Sequence, residues 1–199
     1  MTANLSSVQL VSSCGLDLAP NADRWFAEPD ADDLFALDGL DHPVLDVGCG
    51  PGRIVEHLAT SGVMALGVDV SAEATRRARG RGVPVLHRSV FDPLPGTGRW
   101  GAAVLLDGNI GIGGDPAALL RRIRRLLRRG GRIVAEVEAP TTVTRVVEAR
   151  IQVDDVETEW FPWAVVSADA MDAIAAAADL RLLSVRRSGH RWFATLQRD

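Results

Sequence analysis

From Pro43 onward, short apolar runs alternate with stretches of helical periodicity, and the two periods predict strands and helices in turn. Runs at 44–47, 63–70, 83–87, 101–106 and 132–137 suit strands buried on both faces. Between them, 54–60 and 72–79 read as helices, the second opened by Ser71 and closed by Gly80. Asp115-Pro116 starts another helix. Leu119, Leu120, Ile123, Leu126 and Leu127 form its apolar stripe, Arg121, Arg122, Arg124, Arg125, Arg128 and Arg129 its solvated face, and Gly130-Gly131 its stop. After the fifth strand, Val143, Val147, Ala149, Ile151 and Val153 alternate with mostly polar residues, and Asp154-Asp155 can turn the chain back toward Trp160. This predicts a hairpin insertion. An alanine-rich helix over 167–178 and an antiparallel pair, 180–187 and 191–197, complete the series. Upstream, Leu34, Phe35, Leu37 and Leu40 predict a helix between Pro29-Asp30 and Gly39. Residues 1–22 lack sustained periodicity and are expected to form a loose or lightly docked arm.

Strand–helix alternation through short glycine-containing loops implies one doubly wound α/β domain. We expect a Rossmann-like, seven-stranded, mostly parallel sheet with an antiparallel last strand and a small hairpin insertion after the fifth. The arm and first helix occupy 1–42, and the α/β domain 43–199.

Composition narrows the function classes. The 199 residues carry a net charge of −4, and every basic residue is arginine. Without clustered uncompensated positive charge, a nucleic-acid partner is not expected. Cys14 and Cys49 do not make a disulfide framework. No charged leader precedes residues 5–11, where Ser6, Ser7 and Gln9 interrupt the apolar positions, and no apolar stretch approaches membrane-spanning length. A cytoplasmic protein without a membrane partner is expected. His42, His57, His87 and His190 form no ligand cluster, so no metal is expected.

The segment Val44-Leu45-Asp46-Val47-Gly48-Cys49-Gly50-Pro51-Gly52-Arg53 carries the chemistry. Closely spaced glycines at a strand end let the backbone turn tightly and approach a ligand. Asp46, two residues before the first glycine, is placed to accept hydrogen bonds from a cationic amino group. Asp69 ends the next strand, where a carboxylate can take both hydroxyls of a ribose. The run is G-x-G-x-G, not the G-x-G-x-x-G of dinucleotide sites, and with Asp46 it favours a ligand bearing an amino acid group and no phosphate.

This segment resembles motif I of class I S-adenosylmethionine-dependent methyltransferases, and the similarity extends over most of 43–197. The resemblance implies that S-adenosyl-L-methionine is the cofactor. Gly48, Cys49, Gly50, Gly52 and Arg53 would then lie at its methionine part, Asp46 near its amino group, and Asp69 and Val70 at its ribose. Ser89-Val90-Phe91-Asp92-Pro93-Leu94-Pro95 resembles the family's adenine-contacting turn. Val90 aligns where many members carry an acid, Phe91 flanks it, and Asp92 is either a substitute acid or a turn former. Leu106, Asp107 and Gly108, after the fourth strand, complete the cofactor set. Gly108-Asn109-Ile110-Gly111-Ile112-Gly113-Gly114-Asp115 and Trp160-Phe161-Pro162-Trp163 are similar to small methyltransferase-like proteins of actinobacterial type.

Methyl transfer from a sulfonium is an in-line displacement, so alignment supplies most of the catalysis, and a base is needed only where the acceptor must lose a proton. Asp107 is the candidate base or orienter and Asn109 the polar positioning group; alternatively, Asp107 only accepts backbone N–H bonds in a glycine-rich turn. Asp107–Ile110 lacks the Asn/Asp-Pro-Pro-aromatic motif of nucleic-acid amino-methyltransferases. Glu136 and Glu138 can enter the cleft, one of them expected to face solvent or pair with an arginine. Trp25, Trp160 and Trp163 either pack the helix and hairpin onto the core, shape a pocket for a small-molecule acceptor, or anchor a second copy or partner subunit. The expected activity is methylation of an O or N atom of a specialised metabolite. The alternative is a cofactor-binding relative with a cyclising, regulatory or scaffolding role.

Overall fold

A computed structural model describes residues 8–19, 22–40, 43–153 and 156–199. Strands β1 (Val8–Ser12), β2 (Val44–Val47), β3 (Ala65–Asp69), β4 (Val85–His87), β5 (Trp100–Leu105), β6 (Leu127–Val137), β7 (Arg145–Val153), β8 (Val156–Glu157), β9 (Phe161–Val165), β10 (Arg181–Ser188) and β11 (Arg191–Gln197) are joined, among the described residues, by five α-helices. These are α1 (Ala31–Leu37), α2 (Arg53–Thr60), α3 (Ala72–Gly80), α4 (Pro116–Leu126) and α5 (Met171–Ala177).

The main sheet has seven strands in the order β10-β11-β6-β5-β2-β3-β4. Pairing is parallel from β4 through β6, and β11 runs antiparallel to both β6 and β10. One apolar cluster packs Leu119, Leu120, Ile123 and Leu126 of α4 and Met171 and Ala175 of α5 against Leu45, Val47, Ala103 and Leu105. The opposite cluster joins Ile54, Val55 and Leu58 of α2 and Ala36 of α1 to Val44, Val104 and Phe193. Alternate residues of each strand thus feed opposite layers, as a sheet covered on both faces requires.

The hairpin after the fifth parallel strand has β7 as its outgoing arm, and its return is broken into β8 and β9. The Asp154-Asp155 turn and His42 lie outside the described residues. Of the arm, expected to be loose or lightly docked, residues 8–12 are docked as a strand. Residues Val8 to Ser12 pair antiparallel with Val153 to Ala149 along the other edge of β7, and Leu10 is buried. Five residues of mixed character carry no period of their own; the partner that orders them lies over a hundred positions away. β1, β7, β8 and β9 form a second, small sheet, here called the cap. It is tied to the domain by bridges between Ile112 and Trp163 and between Glu138 and Ser167.

Helix α4 also differs: it ends at Leu126, before the Gly130-Gly131 stop, and Leu127 to Gly130 already belong to β6. Local contacts end it early. Leu127 pairs with Trp100, the Gly98 N–H bonds to the Leu126 carbonyl at 2.9 Å, and Arg198 donates to the carbonyls of Arg124 and Leu127. These donors satisfy the orphan carbonyls of the last turn. Arg128 and Arg129 therefore stand on a strand, not on the helix face.

Candidate functional site

Between β2 and β5 the winding direction of the sheet reverses, and the loops leaving their carboxyl ends open a crevice where ligands of such sheets bind. The glycine loop forms its floor. Gly48, Gly50 and Gly52 all have positive φ, but for different reasons. A Cβ on Gly48 would lie 2.6 Å from the Asn109 side-chain nitrogen, and one on Gly52 2.9 Å from Val83. A Cβ on Gly50 would meet nothing within 4 Å, so that face of the loop is open. Cys49 is turned into the core, where its sulfur packs so close that a Cβ on Gly67 would be 2.5 Å away, and burial raises its thiol pKa.

Two carboxylates flank the loop. Asp69 accepts the Gly50 N–H at 2.8 Å and the Ser71 N–H at 2.7 Å, while burial keeps its pKa raised. Asp46 is 3% exposed, and its Oδ2 has no hydrogen-bond partner among the described residues. Burial is the main cause that pushes its pKa up to about 7; nearby Asp107, Asp69 and Asp33 add to the shift, and Arg53 opposes it.

Next to this under-satisfied floor lies a saturated network. Arg53, at the start of α2, is buried and pairs with Asp33 of α1 and, at 2.9 Å, with Asp107. Asp107 also accepts from Arg24 Nε at 2.6 Å, and its own N–H donates to Glu136 at 2.6 Å. Arg191 of β11 completes the circuit, bonding Asp33 at 2.8 Å and Glu136 at 2.6 and 2.7 Å. Burial alone would raise the Asp33 pKa; the hydrogen bonds and charges of Arg53 and Arg191 outweigh it and hold the carboxyl below its ordinary value.

The sequence-derived residues divide accordingly. Asp107, with φ of 56°, binds arginines rather than the backbone donors of a glycine turn, and its oxygens are committed to ion pairs. Asn109 is turned away from any acceptor: its Nδ2 donates to the carbonyls of Val47 and Gly48 at 3.0 and 2.9 Å and pins the glycine loop. Arg53 lies in the network beneath the loop, not on its open face. Val70 and Phe91 are exposed at the crevice edge, Leu106 is buried and Gly108 is left-handed. The Val90 side chain is 4% exposed in the core, leaving only its main chain near the edge. The Asp92 N–H closes a turn onto the Ser89 carbonyl at 3.1 Å.

A cleft of about 430 Å3 lies between the ends of β5 and β6, residues 16–19 and 24–25, and the cap. Trp25 and Trp163 both line it, with Arg24, Asp107, Gly108, Glu136, Glu138, Arg145, His190 and Arg191. Trp163 packs so closely on Gly111 that a Cβ there would sit 2.6 Å from the indole nitrogen. Trp160 is elsewhere: 45% exposed on the cap, it faces the Arg150 guanidinium at 4.7 Å. Residue patterns missed Arg24, Asp33 and Arg191, whose partners are remote. Asp33 had a local signal, the reciprocal capping box with Asp30.

Comparison with known proteins adds a family and a fold. A family model described as a methyltransferase domain matches residues 16–185. The uncharacterized protein Rv2003c of Mycobacterium tuberculosis is 33% identical over 132 residues, covering 62% of this chain and 44% of that protein. The chain therefore spans less than half the length of the curated relatives it matches. An S-adenosylmethionine-dependent methyltransferase of Bacteroides fragilis, crystallised with S-adenosyl-L-homocysteine, superposes with a TM-score of 0.80 at 20% identity, over 98% of this chain and 89% of that one. The 1,6-didemethyltoxoflavin N1-methyltransferase of Burkholderia thailandensis gives 0.65 at 21% identity, over 89% and 82%. A Streptoalloteichus sugar N-methyltransferase gives 0.59 at 21%, over 78% and 79%.

Proposed function

We propose, from the premise that the chain belongs to the methyltransferase domain family, that it transfers the methyl group of S-adenosyl-L-methionine to an O or N atom of a small molecule. The observation that carries this reading is the buried Asp46 Oδ2 without a donor. An unpaired buried acceptor is costly unless a ligand completes it, and a protonated amino group supplies both the hydrogen and the charge. Asp69, now satisfied by backbone donors, is the ribose acceptor in this reading. The open side of Gly50 lies under the methionine part, with Gly48, Cys49 and Gly52 shaping the turn. Val70, Phe91 and the Val90 main chain flank the adenine, and Leu106 and Gly108 close the other wall.

The bound cofactor supplies a methyl group on a positively charged sulfur. This chain's residues bind, orient and exclude water. Arg53 and Asn109 act indirectly, the first by fixing α1 and Asp107, the second by fixing the loop. Asp107 is an orienter, because its oxygens are shared between Arg24 and Arg53. The cleft under Trp25 and Trp163 receives the acceptor. The Burkholderia neighbour, crystallised with 1,6-didemethyltoxoflavin, and the Streptoalloteichus neighbour, a sugar N-methyltransferase, support an acceptor of specialised-metabolite size. No helix among the described residues is long and apolar enough to cross a membrane. With both cysteines free, the cytoplasm is the proposed location.

Calorimetric titration with S-adenosylmethionine, S-adenosylhomocysteine and NAD tests the reading. The first two should bind and NAD should not. Asp69→Ala should lose about 1.5–3 kcal/mol of cofactor affinity through the missing charge-assisted ribose bonds. Unchanged affinity in a folded variant would show the ribose to be elsewhere.

A further inference from the structure

Two carboxylates in the cleft, those of Asp17 and Glu138, stay outside the arginine network, and of the two only that of Glu138 has no hydrogen-bond partner among the described residues. Glu138 follows β6 with its backbone held on both sides: its N–H donates to the Val166 carbonyl at 2.8 Å, and its carbonyl accepts the Ala168 N–H at 2.9 Å. Its carboxylate takes part in no hydrogen bond or ion pair among the described residues, yet it lines the cleft. The charges of the arginine network are committed. Arg24 and Arg191 bind Asp107 and Glu136, and Asp17 accepts the Ala19 N–H at 2.9 Å. Arg145 lines the cleft and favours ionised Glu138 from a distance, while its own hydrogen bond goes to the Val143 carbonyl at 3.4 Å. Partial desolvation beside the cleft, where the side chain is still exposed, and the charge of Glu136 outweigh that help and raise the Glu138 pKa. Of the lining charges, Asp17, Asp107, Glu136 and Glu138 oppose Arg24, Arg145 and Arg191, one carboxylate in excess; His190 is the remaining titratable group.

The rest of the lining is apolar and aromatic. Leu16, Leu18, Val137, Val165 and the indoles of Trp25 and Trp163 face the same space. Indole faces attract cations and bury hydrocarbon, so the walls and the free carboxylate select for the same guest. An anion would meet the excess negative charge, and a neutral hydroxyl would leave Glu138 without a charged partner.

We propose that the acceptor cleft takes a cationic amine carried on an apolar body, with Glu138 as the anchor of its ammonium group. This rests on reading the cleft as the acceptor side of a methyltransferase. A carboxylate so placed discriminates by charge, while the two tryptophans set how much hydrocarbon the guest presents.

The test uses the full chain, with and without saturating S-adenosylhomocysteine, and three probes that share a benzyl group: benzylamine, benzyl alcohol and phenylacetate. Binding is followed by tryptophan fluorescence and calorimetry. Benzylamine should bind about tenfold more tightly than benzyl alcohol, the size of one charge-assisted contact, and phenylacetate weakest. Glu138→Gln, a change at an exposed side chain, should remove the preference for the amine and leave benzyl alcohol affinity unaltered. Benzylamine binding no tighter than the alcohol, tighter binding of phenylacetate, or an amine preference that survives Glu138→Gln would each overturn the proposal. Failure of S-adenosylhomocysteine to bind would overturn the methyltransferase reading itself. The probe series without it still reports on the charge selectivity of the cleft.

Discussion

Asp46 and Asp33 are both buried carboxylates of the same crevice, and they are treated in opposite ways. Asp33 is clasped by two arginines, and its acidity is strengthened. Asp46 stands under the glycine loop with an oxygen that meets no donor among the described residues and a pKa pushed up to about 7. A saturated carboxylate is a clamp: it holds α1 against Arg53 of α2 and Arg191 of β11. An unsatisfied one is a place kept ready for a ligand, at a cost in stability that the ligand offsets.

The largest expected effect comes from breaking the clamp. Arg53→Ala removes the partner shared by Asp33 and Asp107, leaving buried negative charge that Arg191 and Arg24 only partly neutralise. Breaking a buried pair from one side costs about 3–5 kcal/mol. Urea denaturation at pH 7 should show a loss of that order. A loss below about 1 kcal/mol would mean that the network is readily rebuilt around water.

The pH dependence of the ligand-ready side is next in size. With its folded pKa near 7 and an unfolded value of 3.8, Asp46 keeps a proton in the folded chain over a window where the unfolded chain has lost it. The folded state binds more protons there, so this group's contribution to stability falls as pH rises from about 4 to 7, then levels. Three units at 1.36 kcal/mol each set an upper bound of about 4 kcal/mol. Asp46→Asn should therefore flatten that part of the stability curve and, without cofactor, be the more stable protein at pH 8. Cofactor affinity should behave oppositely in the parent chain, strengthening as Asp46 ionises near pH 7 and losing that rise in the variant. Parallel stability curves for variant and parent would mean that Asp46 is ionised throughout.

The clamp and the ligand-ready floor were not equally legible in the amino-acid sequence. The glycine loop, Asp46 and Asp69 could be read because one strand–loop–helix unit and the next strand end carry them, and their roles follow from local backbone geometry. The sheet was legible for the same reason: each buried strand announces itself by its own apolar run. The clamp assembles Arg24, Asp33, Arg53, Asp107, Glu136 and Arg191 from six separate segments, and a surface arginine has the same local pattern as a buried one. Asn109 shows the same limit from the other side. Its place after β5 suggested a group facing the acceptor, but whether an amide points outward or back to the Val47 carbonyl depends on how closely Gly48 lets it approach. β1 was hidden because a lone edge strand takes its order from β7.

The tryptophans of the cap give the last and smallest contrast. Trp163 is half-buried, bridges to Ile112 and meets Phe161 edge-on at 6.1 Å. Trp163→Ala should cost about 3 kcal/mol, the low end for deleting a large aromatic, because part of the ring already faces the cleft. The same variant should weaken benzylamine binding. Trp160 has the same chemistry in a different setting, exposed and held by a guanidinium that Glu157 also pairs. An exposed cation–π contact contributes about 0.5–1 kcal/mol, so Trp160→Ala should lower stability by no more than that. It should change neither cofactor nor benzylamine affinity, because Trp160 is not among the residues lining the cleft. Size-exclusion chromatography of this variant separates the remaining alternative. An elution volume identical to the parent's leaves Trp160 as a solvent-facing cover for Arg150. A shift to a smaller species would make it the anchor of a second copy, and the outer face of the cap would then be an interface rather than a free surface.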